Sequence, residues 1–383
     1  MVRIVTMLLH DERFSGWSLE EKLSRFHFSK QYMDFCRSFG WEPYLYCFHE
    51  SVSEKQVYDL DGLGVIKVFP VRFRFPPLVR FGNDHNPRAI LNELERDEPD
   101  LIHFHNYYLF SFPYIVQLFK SRLRCPITTQ LHGYNQSWWR RLPYLPSVLQ
   151  LRMVDRIFYS YRPEEAVYSR LGVLDKAIRI PMPSIDPKVF KPGLKESEVG
   201  LLYVGRMPRA RAYAEKSPAF LLFVLRRLLR FMDVKLTMVG DGVGLSHYRH
   251  LASKLGIENK VEFTGFIPHS EIPAFYQRAC LTFVPLRLYD IDGFFDGSIQ
   301  ESLACGTAVA AFKSSLDTPL EGTFGFLLSH SFDRAAEEVS KLLDDFDALK
   351  DVALKGSAFV RDNCTEESLK KTLRSEWEGV LKR

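Results

Sequence analysis

Short apolar segments alternate with amphipathic segments through the first half of the chain. Phe26 to Phe39 has the periodicity of an amphipathic helix, whereas the apolar segments have the length of buried strands. The apolar segments are Val2 to Leu9, Glu42 to Phe48, Leu101 to Phe104 and Ile127 to Leu131. Strands that alternate with helices are typical of βαβ units around a parallel sheet. This half of the chain is therefore predicted to have an α/β fold.

The same alternation restarts after a proline-rich segment, Pro181 to Gly193, which has the composition of a linker. Further strands are predicted at Val199 to Val204, Val234 to Val239 and Leu281 to Pro285. We therefore expect two α/β domains and a final helix. Their predicted bounds are residues 1–185, residues 195–365 and residues 366–383.

Length, charge and cysteine content narrow the class of protein. A chain of 383 residues is long enough for two such domains. Its net charge of only +4 argues against a nucleic-acid-binding protein with one dominant basic face. The six cysteines include no C-x-x-C pair, which predicts neither a zinc site nor a disulfide framework. No segment approaches the roughly twenty apolar residues of a membrane span, and the apolar start is too short for a signal peptide. We expect a cytoplasmic protein.

The most informative stretch runs from Asp292 to Ala310. An acidic loop with glycines follows a predicted strand and leads into a short helix that carries Glu301. Loops at this edge of an open α/β sheet bind ligands. Gly293 and Gly297 let the backbone approach a ligand closely, and the helix start offers unpaired N–H groups to an anion. The stretch predicts a site for a phosphorylated ligand.

Asp292 and the run QESLACGTAV at residues 300–309 resemble the donor-site signature of glycosyltransferase family 4. The resemblance implies the GT-B fold, in which two Rossmann-like domains face each other across a cleft. It implies that residues 1–185 bind the acceptor, that residues 195–365 bind the nucleotide-sugar, and that the helix at residues 366–383 crosses back to pack on the first domain. It implies transfer of a sugar from a nucleotide-sugar with retention of anomeric configuration. It also implies that Gly297 and Ser298 belong to the donor site and that Glu301 binds the ribose of the nucleotide.

The first acid of that signature has two candidates in this chain. The family's two acids are eight positions apart, whereas Asp292 and Glu301 are nine positions apart. Either Asp292 keeps the sugar-facing role in a loop with one extra residue, or Asp296 has taken it over. A structural alternative exists for Glu301, because Ser298 and Glu301 have the S-x-x-E spacing of a helix capping box.

A second motif resembles the part of the family that holds the donor diphosphate. Gly205 and Arg206 end a predicted strand, as the family's Gly-Arg pair does, and the family has a lysine five residues after the arginine. This chain has Arg211 at that spacing and Lys216 just before a predicted helix, where the family's lysine lies. We expect Lys216 to bind the donor diphosphate as the family's lysine does, and Arg211 is the second candidate. Two such cations would offset the charge on a leaving diphosphate, and the alternative is a solvated basic loop.

Gly240, Gly242 and Gly244 form a glycine run after the next predicted strand. Glu262, about twenty residues later, would complete a weak dinucleotide-binding pattern, which keeps an NAD-dependent oxidoreductase as an alternative. The run follows the second strand of its domain, however, and resembles the family's Val-Gly-Asp-Gly turn. The resemblance implies that Gly240 and Gly242 bind the donor.

Residues of the first half resemble the family's acceptor side. His132 follows a predicted strand, like the family histidine that lines the cleft beside the transferred sugar, and a structural histidine is the alternative. Gly16 and Trp17 lie in a long loop, Asp11 to Arg25, where the family usually has a paired-glycine loop.

His103 and His105 close another predicted strand and share one face of it. The segment looks like the family's Asp-hydrophobic-His-hydrophobic-His piece, which implies an acceptor-side position for His105. A structural hydrogen-bonding role is at least as well supported by the sequence.

Two stretches mix arginines with aromatic residues, Arg72 to Phe81 and Trp138 to Leu145. This combination suits an anionic membrane surface or a lipid-linked acceptor. We therefore expect peripheral contact with the inner face of a membrane, with ordinary loop packing as the alternative.

Together these features predict a hexosyltransferase that moves a sugar from a nucleoside-diphosphate sugar to a hydroxyl of a glycan or lipid-linked acceptor. The donor is a co-substrate, and no other cofactor is expected. Asp292 or Asp296 would bind the sugar, and His132 would lie beside the reacting centre. No residue cluster requires a metal, and no nucleic-acid partner is expected. The alternatives are the oxidoreductase and a non-catalytic nucleotide- or glycolipid-binding protein.

Overall fold

The computed structural model describes most of the chain and divides it into two compact units. The first unit comprises Met1–Ile180 and Lys370–Arg383, and the second comprises Pro181–Leu369. No helix of the described chain is long and apolar enough to cross a membrane. The described residues are 1–9, 18–24, 28–60, 62–71, 73–74, 83–84, 86–106, 112–131, 145–181, 185–193, 200–209, 217–288, 296–313 and 324–382.

The first unit is built on a mostly parallel sheet. Its strands in chain order are β1 (Arg3–Leu8), β2 (Glu42–His49), β3 (Gln56–Leu60), β4 (Gly64–Pro70), β5 (Phe73–Arg74), β6 (Asn83–Asp84), β7 (Leu101–His105), β8 (Ile127–Gln130), β9 (Arg156–Tyr159) and β10 (Ala177–Arg179). The main sheet has the order β10-β9-β8-β7-β1-β2-β4-β3, and β5 and β6 form a separate pair. Only β3 runs antiparallel to its neighbour within the described main sheet.

Helices connect these strands, and one of them corrects a prediction. They are α1 (Leu19–Ser24), α2 (Phe28–Ser38), α3 (Pro87–Asp97), α4 (Phe112–Arg122), α5 (Leu145–Leu149) and α6 (Glu164–Leu171). The prediction of one long loop from Asp11 to Arg25 was wrong at Leu19–Ser24, because these residues form α1. Leu19 and Leu23 are four residues apart, so a helix places them on one face, where they pack against a buried cluster.

The second unit is built on a fully parallel sheet. Its strands are β11 (Gly200–Val204), β12 (Lys235–Val239), β13 (Val261–Gly265), β14 (Leu281–Leu288), β15 (Ala308–Lys313) and β16 (Gly325–Leu328). They have the order β13-β12-β11-β14-β15-β16, and every pair of described neighbours is parallel. The helices that follow are α7 (Ala219–Leu228), α8 (Leu245–Lys254), α9 (Ile272–Arg278), α10 (Gly297–Ala304), α11 (Phe332–Asp344), α12 (Phe346–Asn363) and α13 (Glu366–Leu381).

The apolar runs seen in the sequence become strands because both faces of each sheet are covered. All five residues of β7 are buried, as are five of the six residues of β15. A parallel sheet covered on both faces selects continuous apolar runs instead of alternating ones. β3 was missed because its residues alternate between partly buried and exposed positions at the edge of the sheet.

Helix α13 contributes to the core of the first unit. Its Trp377 is fully buried, with its ring centroid 5.4 Å from that of His103 and 6.1 Å from that of Tyr32. Glu376 accepts a 2.7 Å hydrogen bond from Arg156 of β9. The last described residues are therefore integral to the first unit.

Candidate functional site

The candidate site lies at the carboxyl edge of the sheet of the second unit. β11 lies between β12 and β14, so the loops that follow β11 and β14 leave the sheet at the point where the strand order reverses. In open α/β sheets this switch point forms a crevice that binds ligands. The loop after β11 carries Gly205 and Arg206, and the segment after β14 leads to α10 and Glu301.

The loops after β11 and β12 pack backbone against backbone, and two predicted donor-binding glycines make this packing feasible. A Cβ atom on Gly242 would lie 2.6 Å from the carbonyl oxygen of Met207, and Gly240 and Gly242 have φ angles of 135° and 150°. The amide of Gly205 donates to the carbonyl of Val239 at 3.0 Å. The two glycines thus admit a neighbouring loop of the protein itself, and their contact with a donor stays a prediction.

The side chain of Arg206 is exposed, and its backbone is held by a hydrogen bond from a buried residue. Its carbonyl oxygen accepts a 2.6 Å hydrogen bond from the hydroxyl of the buried Tyr203. Burial raises the pKa of Tyr203, with a smaller contribution of the same sign from the Asp296 carboxylate and an opposing one from the Arg206 guanidinium. Arg206 and Asp296 therefore both act electrostatically on the Tyr203 phenol.

Asp296 begins helix α10. Its φ of 78° is unusual for a residue with a side chain. Its Oδ1 accepts hydrogen bonds from the backbone amide of Ser298 at 3.0 Å and from the Ser298 hydroxyl at 2.6 Å. Asp296 is therefore the N-cap of a helix whose first residue is Gly297. The Ser298 amide expected to face an anion is already paired with Asp296.

The capping-box interpretation of Ser298 and Glu301 is wrong, because α10 begins two residues earlier than it requires. Glu301 instead directs its carboxylate to other elements. Its Oε2 accepts a 3.0 Å hydrogen bond from the Tyr276 hydroxyl on α9, and its Oε1 lies 2.8 Å from Nε2 of His269. The Glu301 side chain is 15% exposed, so it is largely enclosed and still reachable at the sheet edge.

His269 and Tyr276 are the site residues that the sequence interpretation missed. His269 lies in the segment that follows β13, and its ring centroid is 5.0 Å from that of the buried Phe190. The hydrogen bond to Glu301 raises the pKa of His269 against the opposing effect of partial burial. Burial, together with the nearby Glu301, raises the pKa of Tyr276. His269 lies in Thr264 to Pro273, a segment that resembles the family's Gly-Phe-hydrophobic-Pro segment, whereas nothing in the sequence singled out Tyr276.

Several predicted site residues lie outside the residues that the structure describes. They are Gly16, Trp17, His132, Arg211, Lys216 and Asp292. Their roles stay predictions. Among the described residues, no group of three or more His, Cys, Asp or Glu side chains could hold a metal ion.

His105 is described, and it is fully buried in the first unit. Its ring centroid lies 4.9 Å from those of Tyr32 and His103. The Nδ1 of His103 is 2.8 Å from the hydroxyl of Thr128, and burial lowers the pKa of His103 to about 3. These contacts favour the structural alternative for the two histidines, although the acceptor-side role of His105 stays a prediction.

Two family models match the chain. Glycosyltransferase Family 4 matches residues 33–189, and Glycosyl transferases group 1 matches residues 198–345. The two matched segments lie on either side of residues 190–197.

Curated relatives carry the name GDP-mannose-dependent alpha-(1-6)-phosphatidylinositol monomannoside mannosyltransferase. The protein of Mycolicibacterium smegmatis is 32% identical over 147 residues, which cover 36% of this chain and 37% of that protein. The protein of Mycobacterium tuberculosis is 27% identical over 252 residues, which cover 61% of this chain and 64% of that protein. The matched part is thus less than two thirds of the length of either relative.

Among solved structures, sucrose-phosphate synthase from Thermosynechococcus elongatus superimposes with a TM-score of 0.72 at 16% identity, covering 99% of both chains. The predicted GT-B type of fold, with two Rossmann-like units, is therefore confirmed. Together the two family models match most of the chain and show that it belongs to the family 4 type of glycosyltransferases.

Proposed function

We propose that the chain is a hexosyltransferase that binds a nucleoside-diphosphate sugar at the carboxyl edge of β11 and β14 and an acceptor through its first unit. The observation that supports this most is the placement of Glu301. A largely enclosed carboxylate at the switch point of a parallel sheet can accept hydrogen bonds from ribose hydroxyls. The family models disfavour the oxidoreductase alternative.

The diphosphate would be held by the exposed guanidinium of Arg206 and by Lys216. Because Asp296 caps α10 with one carboxylate oxygen, we assign the sugar-facing role to Asp292 and a structural role to Asp296. Transfer with retention would then proceed by displacement on one face of the sugar. The leaving phosphate would take the acceptor proton, and the cations would stabilise the charge on the diphosphate. His132 would lie beside this centre.

The relatives suggest which substrates to test first. The name of these relatives specifies GDP-mannose as the donor and a phosphatidylinositol monomannoside as the acceptor. We propose a GDP-sugar as the donor and a lipid-linked glycan as the acceptor.

Exposed apolar side chains support contact with a membrane that carries such an acceptor. Leu145, Leu149 and Met153, on α5 and the turn of 3₁₀ helix after it, are 49%, 45% and 40% exposed. Val148 and Leu151 of the same segment are buried. A segment with exposed apolar side chains can bury them in a membrane interface. We accordingly propose a peripheral protein of the cytoplasmic face.

Donor binding is tested by thermal shift with GDP, UDP, ADP, their common sugar conjugates and NAD. A ligand at a hundred times its dissociation constant stabilises the folded state by about 2.7 kcal/mol. We expect stabilisation by GDP and GDP-mannose. Stabilisation by NAD alone would contradict the proposal. Transfer or hydrolysis of the bound donor separates an enzyme from a non-catalytic binder.

Glu301→Ala is the matched variant for the same assay. It should weaken nucleotide binding at least tenfold, because hydrogen bonds to a charged acceptor contribute about 1.5–3 kcal/mol. The protein should stay folded, with a modestly lower melting temperature without ligand because the hydroxyl of Tyr276 loses its acceptor. Glu337→Ala, an exposed glutamate on α11, serves as the control and should bind normally. A lower melting temperature with unchanged affinity would assign Glu301 a purely structural role.

Membrane contact is tested by co-sedimentation with vesicles of phosphatidylglycerol and phosphatidylcholine. The double variant Leu145→Ser/Leu149→Ser should lose most of the bound fraction. Leu354→Ser, which changes a leucine that is 55% exposed on α12, should retain it. Equal binding by all three proteins would contradict the proposed surface.

A further inference from the structure

We propose that Tyr276 and His269 are positioning residues that hold the Glu301 carboxylate ready to accept both hydroxyls of a ribose cis-diol. The inference rests on the proposed function, and it concerns how the site distinguishes ribonucleotides from deoxyribonucleotides. The two side chains come from separate elements, α9 and the segment after β13, and each contacts a different oxygen of Glu301.

The first step is a count of acceptor positions on the carboxylate. An ionised carboxylate has two oxygens with about four lone-pair positions in total. In the part of the chain that the structure describes, Tyr276 occupies one position on Oε2 and His269 occupies one on Oε1. Among the described residues, nothing else occupies the second position on either oxygen. Two adjacent acceptors match the two adjacent hydroxyls of a ribose, because each hydroxyl can donate to its own oxygen.

The second step concerns the rigidity of Tyr276. Its side chain is fully buried. Its carbonyl oxygen accepts a 2.5 Å hydrogen bond from the hydroxyl of Thr307, just before β15. The pKa of Tyr276 is raised, so the phenol keeps its proton and acts as a donor at every physiological pH. Glu301 Oε2 thus faces a donor that is fixed in place by the core of the second unit.

The third step concerns His269, which is more exposed. Its side chain is 67% exposed, and its ring rests near the buried Phe190 at a centroid distance of 5.0 Å. This contact leaves Nε2 directed at Glu301. With its pKa raised by the hydrogen bond to Glu301, the imidazole carries a positive charge to higher pH than an ordinary histidine.

Diol selectivity is the property that such positioning creates. A site built to accept a hydroxyl rejects an analogue that lacks it, because an acceptor then stays unpaired. Loss of one hydrogen bond to a charged acceptor corresponds to roughly 10- to 100-fold in affinity. Wild-type protein should therefore bind GDP roughly 10- to 100-fold more tightly than 2′-deoxy-GDP, and the same ratio should hold for UDP if UDP is the nucleotide that binds.

The experiment measures dissociation constants of GDP, 2′-deoxy-GDP, UDP and 2′-deoxy-UDP by calorimetry. The variants are Tyr276→Phe, His269→Ala and His269→Gln, and the control is His250→Ala, which changes an exposed histidine on α8. Tyr276→Phe and His269→Ala should reduce the ribo-to-deoxy ratio to about threefold or less, since a mobile carboxylate aligns with one hydroxyl at a time. His269→Gln supplies a replacement donor and should restore part of the ratio.

Each outcome distinguishes the inference from the proposed function. A ratio near one in the wild type, or an unchanged ratio in both Tyr276→Phe and His269→Ala, would overturn the inference while leaving the nucleotide site in place. An equal loss of affinity for ribo and deoxy ligands would show a merely structural role and would also overturn it. Absence of binding by every nucleoside diphosphate would overturn the proposed function together with the inference.

Discussion

The carbonyl oxygen of Gly205 lies 2.0 Å from the position that a Cβ atom would occupy on Gly240. No side chain fits at that distance, and the obstructing atom belongs to the backbone of a neighbouring loop. The absence of a side chain at Gly240 is therefore required for the loops after β11 and β12 to meet.

Gly240→Ala should consequently lower the free energy of unfolding by about 2–5 kcal/mol, because it adds a backbone clash to a strained φ of 135°. Gly256→Ala is the control. Gly256 also has a positive φ, 65°, but a Cβ atom there would meet nothing within 4 Å. Gly256→Ala should lower the free energy of unfolding by only about 1–2 kcal/mol. Similar denaturation midpoints for the two variants would contradict the clash.

Lys67 on β4 joins two acids of α3 in a nearly buried cluster. Its Nζ lies 2.7 Å from Glu93 Oε1 and 2.7 Å from Asp97 Oδ1, with side-chain exposures of 8%, 8% and 11% for the three residues. Lys67→Met should destabilise the protein by about 3–5 kcal/mol, because the carboxylates lose their cation without regaining water.

The comparison for Lys67 is an exposed ion pair on α12. The Nζ of Lys355 lies 2.7 Å from Oδ2 of Asp351, and the two side chains are 66% and 58% exposed. Lys355→Met should change stability by less than about 0.5 kcal/mol. Urea denaturation measures both variants, and equal effects would show that Lys55, which also contacts Glu93 at 2.8 Å, replaces Lys67.

His103 predicts a dependence of stability on pH. Its pKa is lowered by burial to about 3 in the folded state, from an ordinary value of 6.5. Between these values the unfolded chain binds a proton that the folded chain does not. The free energy of unfolding should therefore fall as the pH decreases from 6.5, by at most about 1.4 kcal/mol per pH unit from this residue.

The measurement is a set of denaturation curves between pH 7 and pH 4 for the wild type and His103→Gln. The variant should show a shallower decrease, because the group that takes up the proton on unfolding is gone. His250→Ala, which removes an exposed histidine of α8, is the control for the loss of a histidine. Parallel slopes for the wild type and His103→Gln would contradict the assignment.

Trp377 links α13 to the core of the first unit. Its ring is fully buried. The ring centroid of Trp377 lies 6.3 Å from that of Trp41, in addition to the contacts with Tyr32 and His103. Trp377→Ala should lower stability by about 3–5 kcal/mol, and Trp377→Phe should lose less. Hydrogen exchange of strands β1 and β7 reports the effect, and unchanged protection there would show that α13 does not stabilise the first unit.

The fold type and the family were predictable because their signals are local. Buried parallel strands read as apolar runs, and the motifs around Arg206 and Glu301 each lie within a few residues of a strand end. The predicted α/β fold of GT-B type and the family are both confirmed. Asp296, one of the two candidates for the first acid of the signature, is the N-cap of α10. Which of Asp292 and Asp296 faces the sugar stays a prediction.

The contacts of Glu301 could not be predicted in the same way. Its partners are 25 and 32 residues away in sequence, and they meet it only because α9 and the segment after β13 pack beside α10. The same holds for the close approach of the Gly205 backbone to Gly240. Side-chain partners of this kind depend on tertiary packing, and no local pattern encodes them.

The inclusion of Lys370–Arg383 in the first unit has a consequence for biosynthesis. A ribosome delivers residues 1–180 long before the segment that contains Trp377, so the first unit leaves the exit tunnel without part of its core. The second unit, Pro181–Leu369, is continuous in sequence, so all of its residues are available as soon as residue 369 has been made. The half of the protein that is made first is therefore expected to reach its native state last, and truncation near residue 370 should leave nascent chains dependent on chaperones.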